Sequence, residues 1–213
     1  MKTYSVKYSE ENDIVISGDG NNNIWNKADS LIDFSSPWNR KSIKKITFKA
    51  VYNSEKIFFQ FIVNDSLRHI HLSENKNDSI NISDRVELFF RSDASLNPYY
   101  CLEIDTAGRI MDFKAKPKKN FNFNWSWPSE DILVKSSINR TNFIVEIVIS
   151  LQSLKALNLL KNGNIETGIY RAKYHKQKDD TFLPTWITWV NPNTEIPNFH
   201  TPTSFGILKL ERL

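Results

Sequence analysis

Short segments in which apolar and polar residues alternate constrain the fold of this chain most strongly. The clearest run, 84–91, places three apolar residues on one face of a strand and Arg85, Glu87 and Phe89 on the other. A second run follows over 99–105, and its polar face carries Glu103. Two neighbouring strands would therefore present acids and a guanidinium beside aromatic carbon, an arrangement that suits a polar, ring-shaped ligand.

Other strands and one helix complete the predicted fold. The further strands share apolar runs bounded by turn residues and cover 46–52, 57–63, 132–136 and 143–149. The one convincing helix spans 151–160, with Ser150 as its N-cap. Many closely spaced strands with one short helix predict an all-β fold, an antiparallel β-sandwich of the immunoglobulin-like or jelly-roll-like kind.

Length and composition limit the organisation and the partners. A chain of 213 residues with 40% hydrophobic content is long enough for one sizeable core, so we expect a single domain over 1–213. The net charge of +4 is mild and the basic residues are scattered, which argues against a nucleic-acid partner. No apolar run approaches the ~20 residues of a membrane span, and the first residues lack the apolar segment of a signal peptide. The oligomeric state stays open.

Candidate metal and cofactor sites are weak in this sequence. Asp19 and the asparagines after it could ligate structural calcium, but the loop lacks the several carboxylates that calcium loops usually supply. A haem held by Met111 and either His175 or His200 is an alternative that a colourless protein would exclude. We therefore expect no metal and no cofactor, with calcium left open.

An aromatic run stands out after the central strands. Phe121, Phe123, Trp125 and Trp127 alternate with asparagine and serine, so an extended chain would align all four on one face. The run is either a strand that lines the core or a loop that presents indoles to a ligand. No β-branched residue intervenes, and this absence keeps the loop interpretation open.

Two later tryptophans have an odd spacing. Trp186 and Trp189 would point to opposite faces of a strand, so one belongs to the core and the other could reach a site. Because Trp189 adjoins a proline-rich loop, we expect it to be the exposed indole and a candidate ligand contact.

Catalytic motifs are mostly missing. The sequence has no Gly-x-Ser-x-Gly elbow, phosphate-cradling glycine loop or His-Glu-x-x-His helix. Glu87 and Glu103 are the acids that strand geometry brings together beside aromatics, and a glycosidase needs two carboxylates that straddle the scissile bond. A glycoside hydrolase using this pair is therefore the alternative to a binding protein that is not an enzyme.

Several motifs together resemble the family nine carbohydrate-binding modules. In chain order they are Ile16-Ser17-Gly18 with Trp25 and Ala28, the runs 57–61, 84–89 and 143–147, and Pro202 with Phe205-Gly206. The resemblance extends over nearly the whole chain. It implies a β-sandwich that binds oligo- or polysaccharides without catalysis, in a protein that is exported or displayed at the cell surface.

The resemblance also implies site residues. Better-known members hold a terminal sugar between two tryptophans, beside a glutamate that matches Glu87 here. The aromatic residue near the C-terminus matches Phe199 by spacing. The other tryptophan of the family corresponds to Asn81, so the two-sided aromatic clamp is incomplete by this match.

Nearby side chains could complete the site. Trp125 or Trp127 could supply the second aromatic wall, while Arg85, Glu103 and Arg171 could bond the sugar hydroxyls. The alternative for Arg85 and Glu87 is a cross-strand ion pair on a solvated sheet face, and a one-residue slip in register would turn Arg171 to the other face.

Overall fold

The computed structural model describes residues 1–39 and 42–211, and within these ranges the chain is built mainly from β-strands. The strands are β1 Thr3–Tyr8, β2 Ile46–Tyr52, β3 Lys56–Val63, β4 Arg85–Arg91, β5 Tyr99–Asp105, β6 Ile110–Lys116, β7 Asn120–Asn122, β8 Ile132–Ile138, β9 Phe143–Ser150, β10 Leu160–Lys161, β11 Asn164–Lys176, β12 Phe182–Thr188 and β13 Gly206–Leu210. Helices α1 and α2 span Lys76–Asn81 and Leu151–Ala156, and 3-10 turns cover Asn23–Asn26 and Pro202–Ser204. The predicted all-β class is confirmed.

The strands form one curled, mixed sheet. Its order is β7-β6-β5-β4-β11-β13-β1-β2-β3-β9-β8, with β10 and β12 also paired to β11. Strand β1 joins the two halves, because its first residues pair with β13 and its last two with β2, both in parallel. The expectation of a purely antiparallel sandwich is wrong at this strand. No hairpin joins β1 to either neighbour, so its direction is not forced to be antiparallel.

The inner faces of the two halves pack against each other and form the main core. Val86, Leu88 and Phe90 of β4 lie in this core, as their alternation predicts. Phe90 meets Phe59 of β3 with ring centroids 6.3 Å apart. Burying each such side chain contributes about 1.5–3 kcal/mol relative to leaving it exposed. The core therefore fixes which face of β4 and β5 points inward.

The outer face of β4 and β5 is covered as well. A second apolar cluster includes Phe89, Tyr99 and Phe199, and every residue of both strands is buried. The charged side chains on this face are consequently buried too. The alternative of an ion-pair network on a solvated sheet face is therefore wrong about solvation, although the ion pairs of Arg85 are present.

The helices differ in part from the prediction. Ser150 does cap α2, since its hydroxyl accepts from the Ser153 N–H at 3.0 Å, but the helix ends at Ala156 and not near residue 160. Helix α1 lies where a long loop is expected, because six residues are too few for an apolar period to show. Asn75 caps it. Among the described residues, no helix has the length and apolar character needed to cross a membrane.

Candidate functional site

Three of the predicted site residues meet on the outer face of the sheet. Glu87 on β4 stands directly opposite Glu103 on β5, and Arg85 precedes Glu87 by two positions on the same face. Arg85 Nε lies 2.9 Å from Glu87 Oε1 and 2.6 Å from Glu103 Oε2. None of these residues is more than 4% exposed. We call these three residues the floor trio.

The floor trio has one carboxylate more than its guanidinium can balance. Burial and the nearby Glu103 charge together raise the pKa of Glu87 to about 8, although Arg85 opposes both effects. Burial also raises the pKa of Glu103, against the pull of Arg85. Both carboxyls therefore take up a proton more readily than an exposed glutamate does, and a protonated carboxyl can donate a hydrogen bond as well as accept one.

Hydrogen bonding of the floor trio is incomplete. Arg85 Nη1 donates to the backbone oxygen of Asn81 at 2.7 Å. The contacts of Arg85 Nε with Glu87 Oε1 and Glu103 Oε2 are close but poorly directed, and these three buried atoms have no hydrogen-bond partner among the described residues. Leaving such an atom unpaired costs about 1–3 kcal/mol. The trio therefore favours a ligand that brings hydroxyl groups.

An open cleft of about 500 Å³ lies above the trio. Its other lining residues are Asn75, Asn77, Asp78, Asn81, Met111, Phe113, Phe121, Phe123, Trp186, Phe199 and His200. The amides of α1 form a polar rim, while aromatic rings form the walls. Phe123 is the most exposed of these rings, at 48%, and its centroid lies 4.7 Å from that of Phe113. The cleft can thus hold a flat polar ring between aromatic faces.

The predicted stacking residue, Phe199, does line the cleft but is only 6% exposed. Its ring stacks on Tyr170 at 4.1 Å with an interplanar angle of 9°. Trp186 stands edge-on against it, at 89° and 5.6 Å, and is more exposed. Phe199 therefore supports Trp186 and has little free face of its own.

The assignment of the two late tryptophans is reversed. Trp186 pairs with Ala172 on β11, and Ala172 pairs in turn with Arg85 on β4, so this indole shares the outer face with the floor trio. Trp189 lies beyond the end of β12 and is 2% exposed. A Cβ added at Gly206 would come within 2.5 Å of the Trp189 ring, which shows how tightly the core encloses it. The prediction that Trp189 is the exposed indole is wrong.

The aromatic run 121–127 divides between two faces. Phe121 and Phe123 pack over Phe113 in the cleft. After Asn122 the chain turns, and Trp125 packs on Tyr100 at 4.8 Å at the edge of the inner core. The expectation of one shared face is wrong, because β7 ends at Asn122 and an asparagine turn follows it.

Trp127 follows Trp125 into the core. It is 3% exposed, and its indole N–H donates to Ser153 Oγ at 2.9 Å. Neither Trp125 nor Trp127 lines the cleft over the floor trio. The second aromatic wall comes instead from phenylalanines of the same run.

Arg171 is separated from the other predicted hydrogen-bonding residues. It pairs with Val86 in the register of β11 and β4, so its side chain points to the inner face. Its Nη2 donates to Asp65 at 2.6 Å. The one-residue offset that separates the two faces of a strand therefore moves Arg171 out of the cleft and into a different pocket.

Several cleft residues were not anticipated as sugar contacts. Asn75, Asn77 and Asp78 belong to the unpredicted helix α1 and its cap, whereas Asn81 falls at the rim, as the family spacing implies. His200 Nδ1 lies 2.9 Å from the Tyr99 hydroxyl, and burial lowers the pKa of His200 to about 3. The imidazole is consequently neutral. Met111, which pairs with Glu103 across β5 and β6, also lines the cleft.

Solved structures resemble this fold over almost its entire length. A family 9 carbohydrate-binding module from Caldicellulosiruptor kristjanssonii in complex with glucose has a TM-score of 0.64 at 16% identity, covering 99% of this chain and 96% of that one. The same comparison with its cellotriose complex gives 0.63 and 16%, covering 99% and 94%. A protein from Bacteroides uniformis ATCC 8492, to which carbohydrate binding is provisionally attributed, gives 0.75 at 17%, covering 99% of both chains.

These likenesses demonstrate a common fold, and a family model supplies the classification. A search of curated protein sequences finds no significant match. The model described as "Carbohydrate family 9 binding domain-like" matches residues 16–213, which is nearly the whole chain. The chain therefore belongs to the carbohydrate-binding module family 9.

Proposed function

We propose that this protein binds carbohydrate without catalysing a reaction, and that the cleft over the floor trio holds the sugar. One observation carries the proposal. Three buried, poorly satisfied polar atoms form the floor of a cleft with aromatic walls. Membership in family 9 supports it, as do the glucose and cellotriose complexes of the similar module.

The chemistry of the cleft matches a pyranose ring. Axial C–H groups of a sugar pack against the faces of Trp186 and Phe123, which both line the cleft. Sugar hydroxyls both donate and accept, so they can bond a carboxylate, a carboxylic acid and a guanidinium at once. A ligand without those hydroxyls would leave the floor unpaired, and this penalty gives the site its selectivity.

The geometry of the carboxylates argues against the hydrolase alternative. A glycosidase places its two carboxyl groups on either side of the scissile bond. Here Glu87 and Glu103 touch the same Arg85 nitrogen and lie side by side beneath the cleft. Two acids in this position can bind one side of a sugar, but they do not straddle a glycosidic bond.

We propose that residues 1–213 act as one binding domain in a protein that is exported or held at the cell surface and serves polysaccharide utilisation. Binding in this account needs neither calcium nor haem. A purified protein with no Soret absorbance would agree with the second point, although Met111 and His200 line the same cleft.

The test is calorimetric titration of the protein with glucose and with cellotriose, alongside an assay for released sugar. Trp186→Ala and Glu87→Gln should each weaken binding by about tenfold or more, since each removes a wall or a charged hydrogen-bonding group. Phe182→Ala is the matched control, because this aromatic residue lies in the other pocket. Release of shorter sugars, or equal binding by all variants, would contradict the proposal.

A further inference from the structure

A second pocket, of about 540 Å³, lies at the inner face of β11 and β12. We call it the basic pocket. Its lining residues are Ser42, Ile43, Lys44, Asp65, Leu67, Arg68, His69, Arg171, Lys173, Tyr174, His175, Lys176, Phe182, Thr185 and Ile187. It shares no lining residue with the cleft. Nothing proposed for the cleft depends on it.

Positive charge dominates this pocket. Among the described lining residues, the cations are Lys44, Arg68, Arg171, Lys173 and Lys176, against the single carboxylate of Asp65. Two further acids offset part of this charge, because Asp84 pairs with Lys173 at 2.8 Å and Asp180 with Lys176 at 2.6 Å. Two cations remain in excess. Lys44 is exposed, whereas Arg68 is half-buried and its Nη1 donates to the backbone oxygens of Asp65 and Asn142 at 2.9 and 3.4 Å. Neither cation has a described carboxylate partner, so both contribute positive charge to the pocket.

Arg171 supplies unused hydrogen-bond donors at the back of the pocket. The residue is 1% exposed, and its Nη2 donates to Asp65. Its Nε and Nη1 atoms are buried and have no hydrogen-bond partner among the residues that the structure describes. A guanidinium has only donors, so a ligand that completes its bonding must bring acceptor oxygens. Carboxylate, sulfate and phosphate groups are the acceptors that bind it most strongly.

The apolar part of the pocket lining is suited to the body of a small molecule. Phe182 stacks on His69 with centroids 3.6 Å apart and an interplanar angle of 19°. Leu67 and Ile187 add apolar surface. His69 Nε2 is also buried without a described partner, which gives one more polar contact within the apolar wall.

We infer that the basic pocket binds a small organic oxyanion, an acid of about monosaccharide size. The carboxylate, sulfate or phosphate group bonds Arg171 and is attracted by Lys44 and Arg68. The body of the ligand packs on the exposed face of the pair formed by Phe182 and His69. An uncharged sugar would not neutralise the excess positive charge and would bring no anionic acceptor to the Arg171 donors, so it is not the ligand of this pocket.

The experiment is calorimetric titration with glucuronate, glucose 6-phosphate and inorganic sulfate at equal ionic strength, with glucose as the uncharged control. All titrations are repeated in Trp186→Ala, which impairs the cleft and so separates the two sites. We expect at least one organic anion to bind the Trp186→Ala protein more tightly than glucose does. Preference for glucuronate identifies a carboxylate ligand, and preference for the phosphate identifies a phosphoester. Sulfate binding alone, or no binding, would overturn the inference.

Charge variants locate the bound anion. Replacing Lys44 and Arg68 together by Gln should weaken anion binding by about tenfold, because two favourable charges of the pocket lining are lost. The matched control replaces the exposed Lys155 and Lys209 by Gln, which removes the same net charge from elsewhere. Equal weakening in both double variants would show general attraction to a basic protein and would contradict the site.

A third variant tests the back of the pocket without removing its charge. Arg171→Lys keeps the cation beside Asp65 but has no Nε or second Nη nitrogen to meet an oxyanion. We expect it to lose anion binding by about tenfold or more while glucose binding in the cleft is retained, which also confirms folding. Unchanged anion binding in folded Arg171→Lys would refute the role of Arg171.

Discussion

The cleft lies over the outer face of β4 and β5, the basic pocket lies at the inner face of β11 and β12, and the two sites balance buried charge differently. In the cleft, two carboxylates share the single guanidinium of Arg85. In the basic pocket, Asp65 and Asp84 are met by two cations, Arg171 and Lys173. All four acids are nearly inaccessible to solvent. The two carboxyls that share one cation have raised pKa values, whereas the pKa of Asp65, which lies beside two cations, is lowered.

The pKa directions follow this difference. Burial raises the pKa of Glu87 to about 8, because one guanidinium cannot offset both desolvation and the second carboxylate. Burial would also raise the pKa of Asp65, but the hydrogen bond and charge of Arg171, with the charge of Lys173, lower it overall. The cleft thus has too few hydrogen-bond donors for its carboxyl groups, and this suits a ligand with hydroxyl groups. The basic pocket has too few hydrogen-bond acceptors for its cations, and this suits an oxyanion.

The largest expected effect comes from removing the cation of the cleft. Arg85→Gln should lower the free energy of unfolding by about 3–5 kcal/mol at about pH 9, because it leaves two buried carboxylates with no counter-charge. At about pH 5 the loss should be smaller, since protons can neutralise both acids. Urea denaturation at the two pH values measures it. A loss that is equal at both would contradict the raised pKa values.

The next prediction concerns the pH dependence of stability. The folded-state pKa of Glu87 lies above its ordinary value of 4.5, so folding retains a proton that the unfolded chain releases between pH 4.5 and about 8. Wild-type stability should therefore fall through this window as the pH rises. Glu87→Gln removes the penalty and should be more stable than wild type above about pH 8, by roughly 2 kcal/mol. Urea denaturation across the window measures the difference, and equal stability of the two proteins above about pH 8 would contradict it.

Asp65 should behave in the opposite way and serves as the contrast. Its folded pKa is lowered, so its stabilising contribution is present above its unfolded pKa and disappears as the pH falls below it. Asp65→Asn should therefore destabilise the protein at neutral pH and have less effect in acid. If chemical denaturation gave the Asp65→Asn and Glu87→Gln variants the same pH profile, the contrast between the two clusters would be wrong.

A smaller effect should separate the ligands of the two sites. Trp186→Ala should weaken glucose binding by about tenfold or more and leave anion binding intact, because its indole lines the cleft and not the basic pocket. Phe182→Ala should do the reverse. Isothermal titration of both variants with glucose and with the anion measures all four changes in affinity. A variant that weakens both ligands equally would indicate one shared site or a folding defect.

The smallest expected effect is that of salt. Raising the ionic strength from about 0.05 M to about 0.5 M shortens the range of charge attraction and should weaken anion binding several-fold. Glucose binding should change little, because an uncharged ligand gains nothing from long-range attraction. Titrations of both ligands across this range make the comparison. Strong salt dependence of glucose binding would indicate that glucose binds near exposed charges and not at the buried floor trio.

Much of the fold could be predicted from side-chain period alone. The alternation of β4 and β5 correctly separates the apolar inner face from the charged outer face, and Ser150 marks the start of α2. The alternation of side chains does not indicate which strands become neighbours, so it could not predict the parallel pairing of β1. It also does not report what covers an outer face, so the burial of Arg85 and Glu87 came only with the tertiary packing.

The site was predictable where residues share one strand or one pair of strands. Glu87 and Glu103 needed only local pairing to meet, whereas Trp186 and Arg171 depended on the register between β11 and its neighbours. A shift of one residue reverses every side chain of a strand, and alternation cannot reveal it when both faces are buried. The turn after Asn122 similarly divided an aromatic run whose spacing alone predicts one face.

The most direct test of the central claim is a nitrogen–proton NMR spectrum of the tryptophan indole groups during titration with cellotriose. The Trp186 signal can be assigned from its loss in Trp186→Phe. Sugar bound in the cleft should shift this signal progressively until the site is saturated. The signals of the buried Trp127 and Trp189 should not shift. Saturable binding that leaves Trp186 unmoved, or a spectrum that does not change with sugar, would contradict the assignment of the cleft as the carbohydrate site.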